Sequence, residues 1–288
     1  MSYQIITDSS CDFTKEQYAA LGLQYAPLTL LYKGEQYDSF TEESELKAFY
    51  DGIREGELPT TSAVNPEGWA SVMESVLSAG EDVLALCFTS GLSTTYQSAV
   101  IAAQELSEKY PHRKIRVVDT LCAALGQGLL VWHACRKRDE GLSMDAVADW
   151  VENNKLRLCH WVTVDDLDHL KRGGRVSATT AFVGGLLNIK PIIHVDNDGK
   201  LETVGKVRGR KAAMEYLVKR MVETGSAEDN ETITIAHGDC PEDAAALEEL
   251  VRKSCPYVKN VITGYVGGVI GAHTGPGVLV VFFLGDKR

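Results

Sequence analysis

The stretch Asp82-Val-Leu-Ala-Leu-Cys-Phe88 constrains the fold more than any other part of this chain. It is a near-continuous apolar run of strand length, and a strand without polar alternation is one that is covered on both faces. It ends at Thr89-Ser90-Gly91-Leu92-Ser93, after which a helical pattern runs over 94–109. The segments around it repeat this alternation. Residues 3–7 read as a strand ending in Asp8-Ser9-Ser10, and 14–21 as a helix capped by Thr14. Residues 25–32 read as a strand, and 42–54 as an amphipathic helix capped by Ser39 or Thr41. A further strand follows at 115–119, then helices through Arg138 and over 143–153. A βαβα rhythm predicts a parallel sheet with helices on both faces, which binds ligands at the carboxyl ends of its strands. The loops expected there, Asp8-Ser9-Ser10, 89–93 and Asp119-Thr120, are short and rich in hydroxyls.

The rhythm changes after residue 157. A strand at 158–164, a short helix at 165–171 and a break at Gly173-Gly174-Arg175 precede a helical stretch at 179–187. Strands at 189–195 and 201–207 flank Asp196-Asn197-Asp198-Gly199, a strong hairpin signal. A helix at 211–222, a strand at 232–236 and a helix at 241–253 follow. The expectation is an α/β protein of two domains. Residues 1–157 form an N-terminal parallel α/β domain, and 158–288 an α+β domain with a mixed or largely antiparallel sheet. No Pro/Gly/Ser-rich linker separates the halves, so they pack closely around a cleft. Near the C-terminus, the apolar segments 264–271 and 278–284 read as strands joined by Ala272-His-Thr-Gly-Pro-Gly277. A hairpin needs only two residues there, so something else shapes this loop.

Composition removes several function classes. The formal charge is −11, from 29 Lys and Arg against 40 Asp and Glu, the opposite of a nucleic-acid binder. The seven cysteines form no CxxC pair and no zinc-like spacing with histidine, which points to a reducing compartment, no disulfides and no metal. The start of the chain lacks a basic region followed by an apolar stretch, and no run reaches membrane-spanning length. The expectation is a cytoplasmic protein without stable membrane insertion. Phosphate-loop, nucleophile-elbow and zinc-protease motifs are missing from the sequence. Gly126-Gln-Gly128 and 264–271 resemble a dinucleotide fingerprint only loosely.

What remains is a set of hydroxyl and basic clusters. Thr60-Thr61-Ser62 lies in a loop opening a helix, where one hydroxyl is a cap and the others are spare. Ser90-Gly91-Leu92-Ser93-Thr94-Thr95 marks the passage from buried strand to helix. Ser93 there is either a cap or part of an anion site at the helix N-terminus. His273 is either a core histidine or a ligand contact, with Gly271, Gly275 and Gly277 permitting close approach to the backbone. Arg175, in Lys171-Arg172-Gly173-Gly174-Arg175, and Arg208, in Lys206-Val207-Arg208-Gly209-Arg210, are basic foci in an acidic protein. They are either solvated faces or sites for a phosphate-bearing ligand or partner.

Along essentially its whole length the sequence resembles the DegV family of bacterial fatty-acid-binding proteins. The resemblance rests on Thr7-Asp-Ser-Ser10, Pro59-Thr-Thr-Ser62, Thr89-Ser-Gly-Leu-Ser-Thr-Thr-Tyr-Gln-Ser-Ala99 and Asp119-Thr120. It continues through Leu167-Asp-His-Leu-Lys-Arg-Gly-Gly-Arg-Val-Ser177, Leu187-Asn-Ile-Lys-Pro191, Lys206-Val-Arg208 and Ala272-His-Thr-Gly-Pro-Gly277. It implies two α/β domains with one long-chain fatty acid between them. Carried over residue by residue, it implies that Thr61, Ser93 and His273 hold the carboxylate, supported by Ser62, Ser90, Gly91, Thr274 and Gly275. It also implies a non-catalytic carrier that presents the lipid to a separate ATP-dependent fatty acid kinase, which makes acyl-phosphate for phospholipid synthesis. Arg208 is associated with the kinase-facing step, and Arg175 is expected on that side too. The chain departs from the family pattern at Ala63-Val64, where Gln-Pro is usual, and at Thr94, where Gly is frequent. The residues also leave open an enzyme acting on a small carboxylated or phosphorylated substrate, with Ser93 or His273 reacting directly, and a regulatory protein with a vestigial cleft.

Overall fold

In the computed structural model, which describes residues 2–38, 40, 42–165, 167–176 and 188–288, the apolar run at 82–87 is an interior strand with all six residues buried. The strands are β1 (Tyr3–Asp8), β2 (Gln24–Ala26), β3 (Thr29–Tyr32), β4 (Glu35–Tyr37), β5 (Thr60–Ser62), β6 (Asp82–Cys87), β7 (Ile115–Asp119), β8 (Leu158–Thr163), β9 (Ile189–Val195), β10 (Leu201–Arg208), β11 (Thr232–His237), β12 (Asn260–Tyr265) and β13 (Leu279–Leu284). The helices are α1 (Lys15–Ala20), α2 (Glu43–Arg54), α3 (Pro66–Ser78), α4 (Thr95–Lys109), α5 (Ala124–Asp139), α6 (Met144–Asn154), α7 (Asp168–Arg172), α8 (Arg210–Thr224), α9 (Pro241–Ser254) and α10 (Gly268–Thr274).

β6 lies inside a four-stranded parallel sheet of order β2-β1-β6-β7. Successive side chains on a strand point to opposite faces, and here both faces are used. Val83, Ala85 and Cys87 join a core with residues of α3 and α4, while Leu84 and Leu86 join another with α5 and α6. The later half of the chain forms a six-stranded sheet of order β10-β9-β8-β13-β11-β12. Its pairs are antiparallel except β11 with β12. Trp161, Ile235, Val281 and Phe283 on one face meet α8 and α9. Val162, Val280 and Phe282 on the other face share a core with α5 and the first sheet. Helix α5 therefore serves both sheets, and its glycines explain how. A Cβ at Gly126 would stand 2.5 Å from His160 and from Phe282, and one at Gly128 would stand 2.9 Å from the Cys11 carbonyl. These two glycines permit close helix packing and belong to no dinucleotide loop.

Three expectations needed correction. The strand at 25–32 is broken at Pro27, which has no N–H for a ladder; β2 stays in the parallel sheet, and Leu28 N–H donates instead to Ser9 Oγ at 2.9 Å. β3 leaves to form a small antiparallel sheet of order β4-β3-β5, and Thr60–Ser62, read as loop, is its third strand. The segment 264–271 is no single strand: it ends β12 and then turns into α10. An apolar run without alternation does not distinguish a strand from a buried helix, and the packing decides. A Cβ at Gly268 would lie 2.9 Å from Leu30, and one at Gly271 would lie 2.5 Å from the hydroxyl of Tyr50. The proposed caps Ser39 and Thr41, and the helical stretch at 179–187, lie outside the described residues. Helix α2 starts with the Glu42 N–H donating to the Glu45 carboxylate at 3.3 Å. Among the described residues no helix is long and apolar enough to cross a membrane, and all seven cysteines are free thiols.

Tyr50 is fully buried and its hydroxyl donates to the Val266 carbonyl at 2.7 Å, just before α10 begins. Gly271→Ala forces a methyl group into that contact. The expected loss is about 1–3 kcal/mol, the usual cost of overpacking, read as a lower urea midpoint at unchanged slope.

Candidate functional site

The loops at the carboxyl end of the parallel sheet are tied together by one buried carboxylate. Asp8, at the end of β1, accepts from the Phe88 N–H at 2.7 Å, the Ser10 N–H at 3.1 Å and the Gln127 amide at 3.3 Å. The Ser10 hydroxyl donates to it as well. Burial raises the Asp8 pKa and these donors oppose the rise. Asp8 and Ser10 thus hold the β6–α4 loop to α5, while Ser9 accepts from the Leu28 N–H. Asp119 holds the same loop from β7, accepting from the Ser90 N–H at 3.2 Å.

That loop is also fixed from the other half of the chain. Thr89 Oγ1 donates to the Gly199 carbonyl at 3.0 Å. A Cβ at Gly91 would stand 2.6 Å from the backbone of Asp198 and Gly199, so only glycine lets the hairpin turn dock there. With the loop held, Ser93 Oγ accepts from the Thr95 N–H at 3.2 Å and shares a 2.8 Å hydrogen bond with Thr95 Oγ1. Ser93 therefore does cap-like work at the start of α4 while remaining half-buried at the edge of a cavity.

The cavity holds about 410 Å³ and draws its walls from both halves of the chain, a size within the usual range for small-molecule sites. Thr61, Ser62, Ser90, Ser93, Arg175, His273 and Thr274 line it, so seven of the ten singled-out residues converge. Thr61 arrives on β5 and His273 in the last turn of α10; Thr61 Oγ1 and His273 Nε2 share a hydrogen bond of 2.7 Å. Burial, with the Arg175 guanidinium adding to it, pushes the His273 pKa down to about 4. The ring is neutral at pH 7. Its partner is Thr61, and among the described residues no carboxylate hydrogen-bonds to it. Nδ1 faces the turn after α7, where a Cβ at Gly173 would lie 2.2 Å away.

The remaining three lie outside the lining. Gly91 shapes the loop as described. Gly275, at φ +74°, packs against the ring of His169, and Gly277 against the Asp165 carboxylate. The Gly-Pro-Gly segment thus makes room for protein side chains, contrary to the expectation that it lets a ligand crowd the backbone. Arg208 is exposed at the end of β10. Arg175, expected on the same outward side, lines the cavity instead and donates from Nε to the Leu92 carbonyl at 3.2 Å.

Sequence reasoning missed most of the apolar wall. It comes from Leu28, Phe88, the start of α5, and the inward-facing residues of the second sheet: Val162 on β8, Ile193 and Val195 on β9, Leu201 on β10, Val280 and Phe282 on β13. His160 belongs to this wall. Its Nε2 accepts from the Ala123 N–H at 3.1 Å, its Nδ1 lies 3.2 Å from the Leu158 carbonyl, and burial holds its pKa well below the ordinary histidine value. Its place two residues from Leu158 and from Val162 is the period-two signal that locates it on the inner face.

Residues 2–286 match the family described as Uncharacterised protein, DegV family. A DegV domain-containing protein of Clostridium perfringens is 45% identical over 287 residues, covering 99% of this chain and 98% of its own length. The fold is similar to that of a DegV family protein from Thermus thermophilus described as binding fatty acid, with TM-score 0.87, 34% identity and coverage of 99% and 100% of the two chains. It is similar also to DegV of Bacillus subtilis, described as a fatty acid binding protein, with TM-score 0.84, 29% identity and coverage of 99% and 100%. Full-length agreement in both sequence and architecture leaves one conclusion: this chain is a member of the DegV family.

Proposed function

We propose that this protein binds one long-chain fatty acid in the cavity between its two sheets and presents the carboxyl group to a separate ATP-dependent fatty acid kinase. The chain divides for this purpose at 157/158, the parallel-sheet half supplying Thr61 and Ser93 and the mixed-sheet half supplying His273. The observation that carries the reading is the make-up of the cavity wall: hydroxyls, the neutral His273 imidazole and Arg175 together with branched aliphatic side chains, Phe88 and Phe282. Each methylene moved from water onto such a wall contributes about 0.8 kcal/mol, so the tail supplies affinity and the polar group supplies orientation. Similar proteins described as binding fatty acids support this choice of ligand.

The proposed carboxylate contacts are Thr61, Ser93 and His273. Arg175, on the cavity wall, is assigned to the headgroup in place of a kinase-facing role; it supplies the one lining guanidinium among the described residues. Arg208, exposed and away from the lining, keeps the kinase-facing role. His273 pairs with the Thr61 hydroxyl, and among the described residues no carboxylate orients the ring as a catalytic base would need, which suits a carrier whose chemistry is done by its partner.

Protein purified from a bacterial host and extracted under denaturing conditions is expected to release a fatty acid near one equivalent by mass spectrometry. Finding none, with no binding of added palmitate or oleate, overturns the proposal. Ser93→Ala is expected to weaken binding by about 1–3 kcal/mol by leaving part of the carboxylate unmatched, measured as the Kd for a fluorescent fatty acid. An unchanged Kd reduces Ser93 to its hydrogen bonds with Thr95. Arg208→Ala is expected to leave that Kd unchanged and to slow acyl-phosphate formation when the kinase and ATP are added; lost lipid binding would mean that Arg208 serves the cavity.

A further inference from the structure

The cavity wall on the six-stranded sheet is built in rungs. Val280 pairs with Val162, and Val162 with Ile193. Phe282 pairs with His160, and Val195 with Leu201; because Trp161 pairs with His194, the next step along the register sets His160 level with Val195. One rung is therefore Val280–Val162–Ile193 and the next is Phe282–His160–Val195–Leu201, and every member of both lines the cavity. Side chains on one face of a strand recur every second residue, so the rungs lie about 7 Å apart. The proposed headgroup contacts are at the opposite end. His273 precedes Val278, which also lines the cavity, and from Val278 to Phe282 the strand advances about 14 Å.

The far rung closes the space. A Cβ at Gly126 would stand 2.5 Å from both His160 and Phe282, so α5 lies directly on that rung. At its β9–β10 end the hairpin turn is docked on the β6–α4 loop, with the Gly199 carbonyl accepting from Thr89 Oγ1. His160 and Phe282 are only 2% and 1% exposed while still lining the cavity, so the space ends against them.

His160 differs from its neighbours in how it is held. Its Nε2 accepts from the Ala123 N–H at 3.1 Å, which leaves the ring proton on Nδ1, 3.2 Å from the Leu158 carbonyl. Arg288 fixes that carbonyl again, donating from Nε at 3.0 Å. Phe282 meets the imidazole edge-on, with centroids 5.2 Å apart. An aliphatic side chain yields to a ligand by changing rotamer. Turning this imidazole breaks two buried hydrogen bonds, and buried groups left unmatched are costly. With both nitrogens engaged by the backbone, the ring offers a ligand a firm surface and no hydrogen bond.

We propose that His160 is the residue that determines acyl-chain length, a fixed end wall against which the methyl terminus of the fatty acid stops. This rests on the fatty-acid reading above and adds a limit to it. Affinity rises about fourfold for each methylene the cavity still accommodates and falls once the chain is longer than the space.

Competition of lauric, myristic, palmitic, stearic and arachidic acids against a fluorescent fatty acid tests this on the full chain. The expected wild-type profile climbs to one optimal length and then drops. His160→Ala opens the end wall and moves the optimum to a longer acid, raising the affinity for the next longer acid relative to the wild-type optimum roughly tenfold. Val195→Phe, on the same rung, moves the optimum to a shorter acid. A merely structural role weakens every acid alike, so the readout is the ratio of affinities across the series. Should His160→Ala fold poorly, His160→Gln, which keeps an acceptor for the Ala123 N–H, carries the test with the same expected shift. An optimum unmoved in the His160 variant, or parallel losses at all lengths, overturns the proposal. Wild-type protein that binds none of these acids overturns instead the fatty-acid reading on which it rests.

Discussion

The arrangement depends on an imbalance in how the six-stranded sheet is covered. Its outer face is closed along β8, β11 and β13 by α8 and α9, which come from the same half of the chain. Among the described residues, the main helical cover of its inner face comes from the other half of the chain. α5, from the other half, packs on β8, β11 and β13, and beyond its reach the inward residues Ile193, Val195 and Leu201 face the cavity. Apolar surface left uncovered in this way is unfavourable in water. The fold keeps it from solvent with the β6–α4 loop, β5 and α10, elements that close a space without filling it.

Keeping such a space open requires the closing elements to be held by contacts that do not rely on packing across it. Asp8 is the principal one. It joins the end of β1, the start of the β6–α4 loop and the interior of α5 through charge-accepting hydrogen bonds in a buried setting, where removing one partner is expensive. A second set comes from one arginine side chain. Arg288 donates to the carbonyls of Leu121, Lys155, Leu158 and Asp196, linking the turn after β7 to the hairpin that Thr89 and Gly91 receive. The two sheets are therefore clamped at the cavity edge from both sides, which holds the β6–α4 loop that carries Ser93.

The sequence was most legible where one physical signal had one structural meaning. The apolar run at 82–87 meant a two-sided strand, and the turn at Asp196–Gly199 meant a hairpin; both are present. It was least legible where two signals competed. Pro27 interrupts an otherwise strand-like segment, and the loss of one ladder donor sends β2 and β3 to different sheets. Thr60-Thr61-Ser62 carries hydroxyls that suggest a cap, yet it pairs edge-on with β3, a tertiary contact that no local pattern announces. The glycines near His273 show that close approach is legible but its direction is not. They mark the approach of Tyr50, His169 and Asp165, all distant in sequence.

The charge state of His273 follows from that same crowding. Gly173 packs against Nδ1, the imidazole is only partly exposed, and the Arg175 guanidinium lines the same cavity. Both effects disfavour imidazolium, burial being the larger. A neutral ring beside a threonine hydroxyl offers directional hydrogen bonds with no net charge, leaving Arg175 as the cation opposite any anionic headgroup. Charge-assisted hydrogen bonds are roughly twice as strong as neutral ones, so on the proposed function one guanidinium with several neutral donors suffices to orient a carboxylate. On the proposed function, it also avoids a multiple-arginine clamp that would oppose handing the acid on to a kinase.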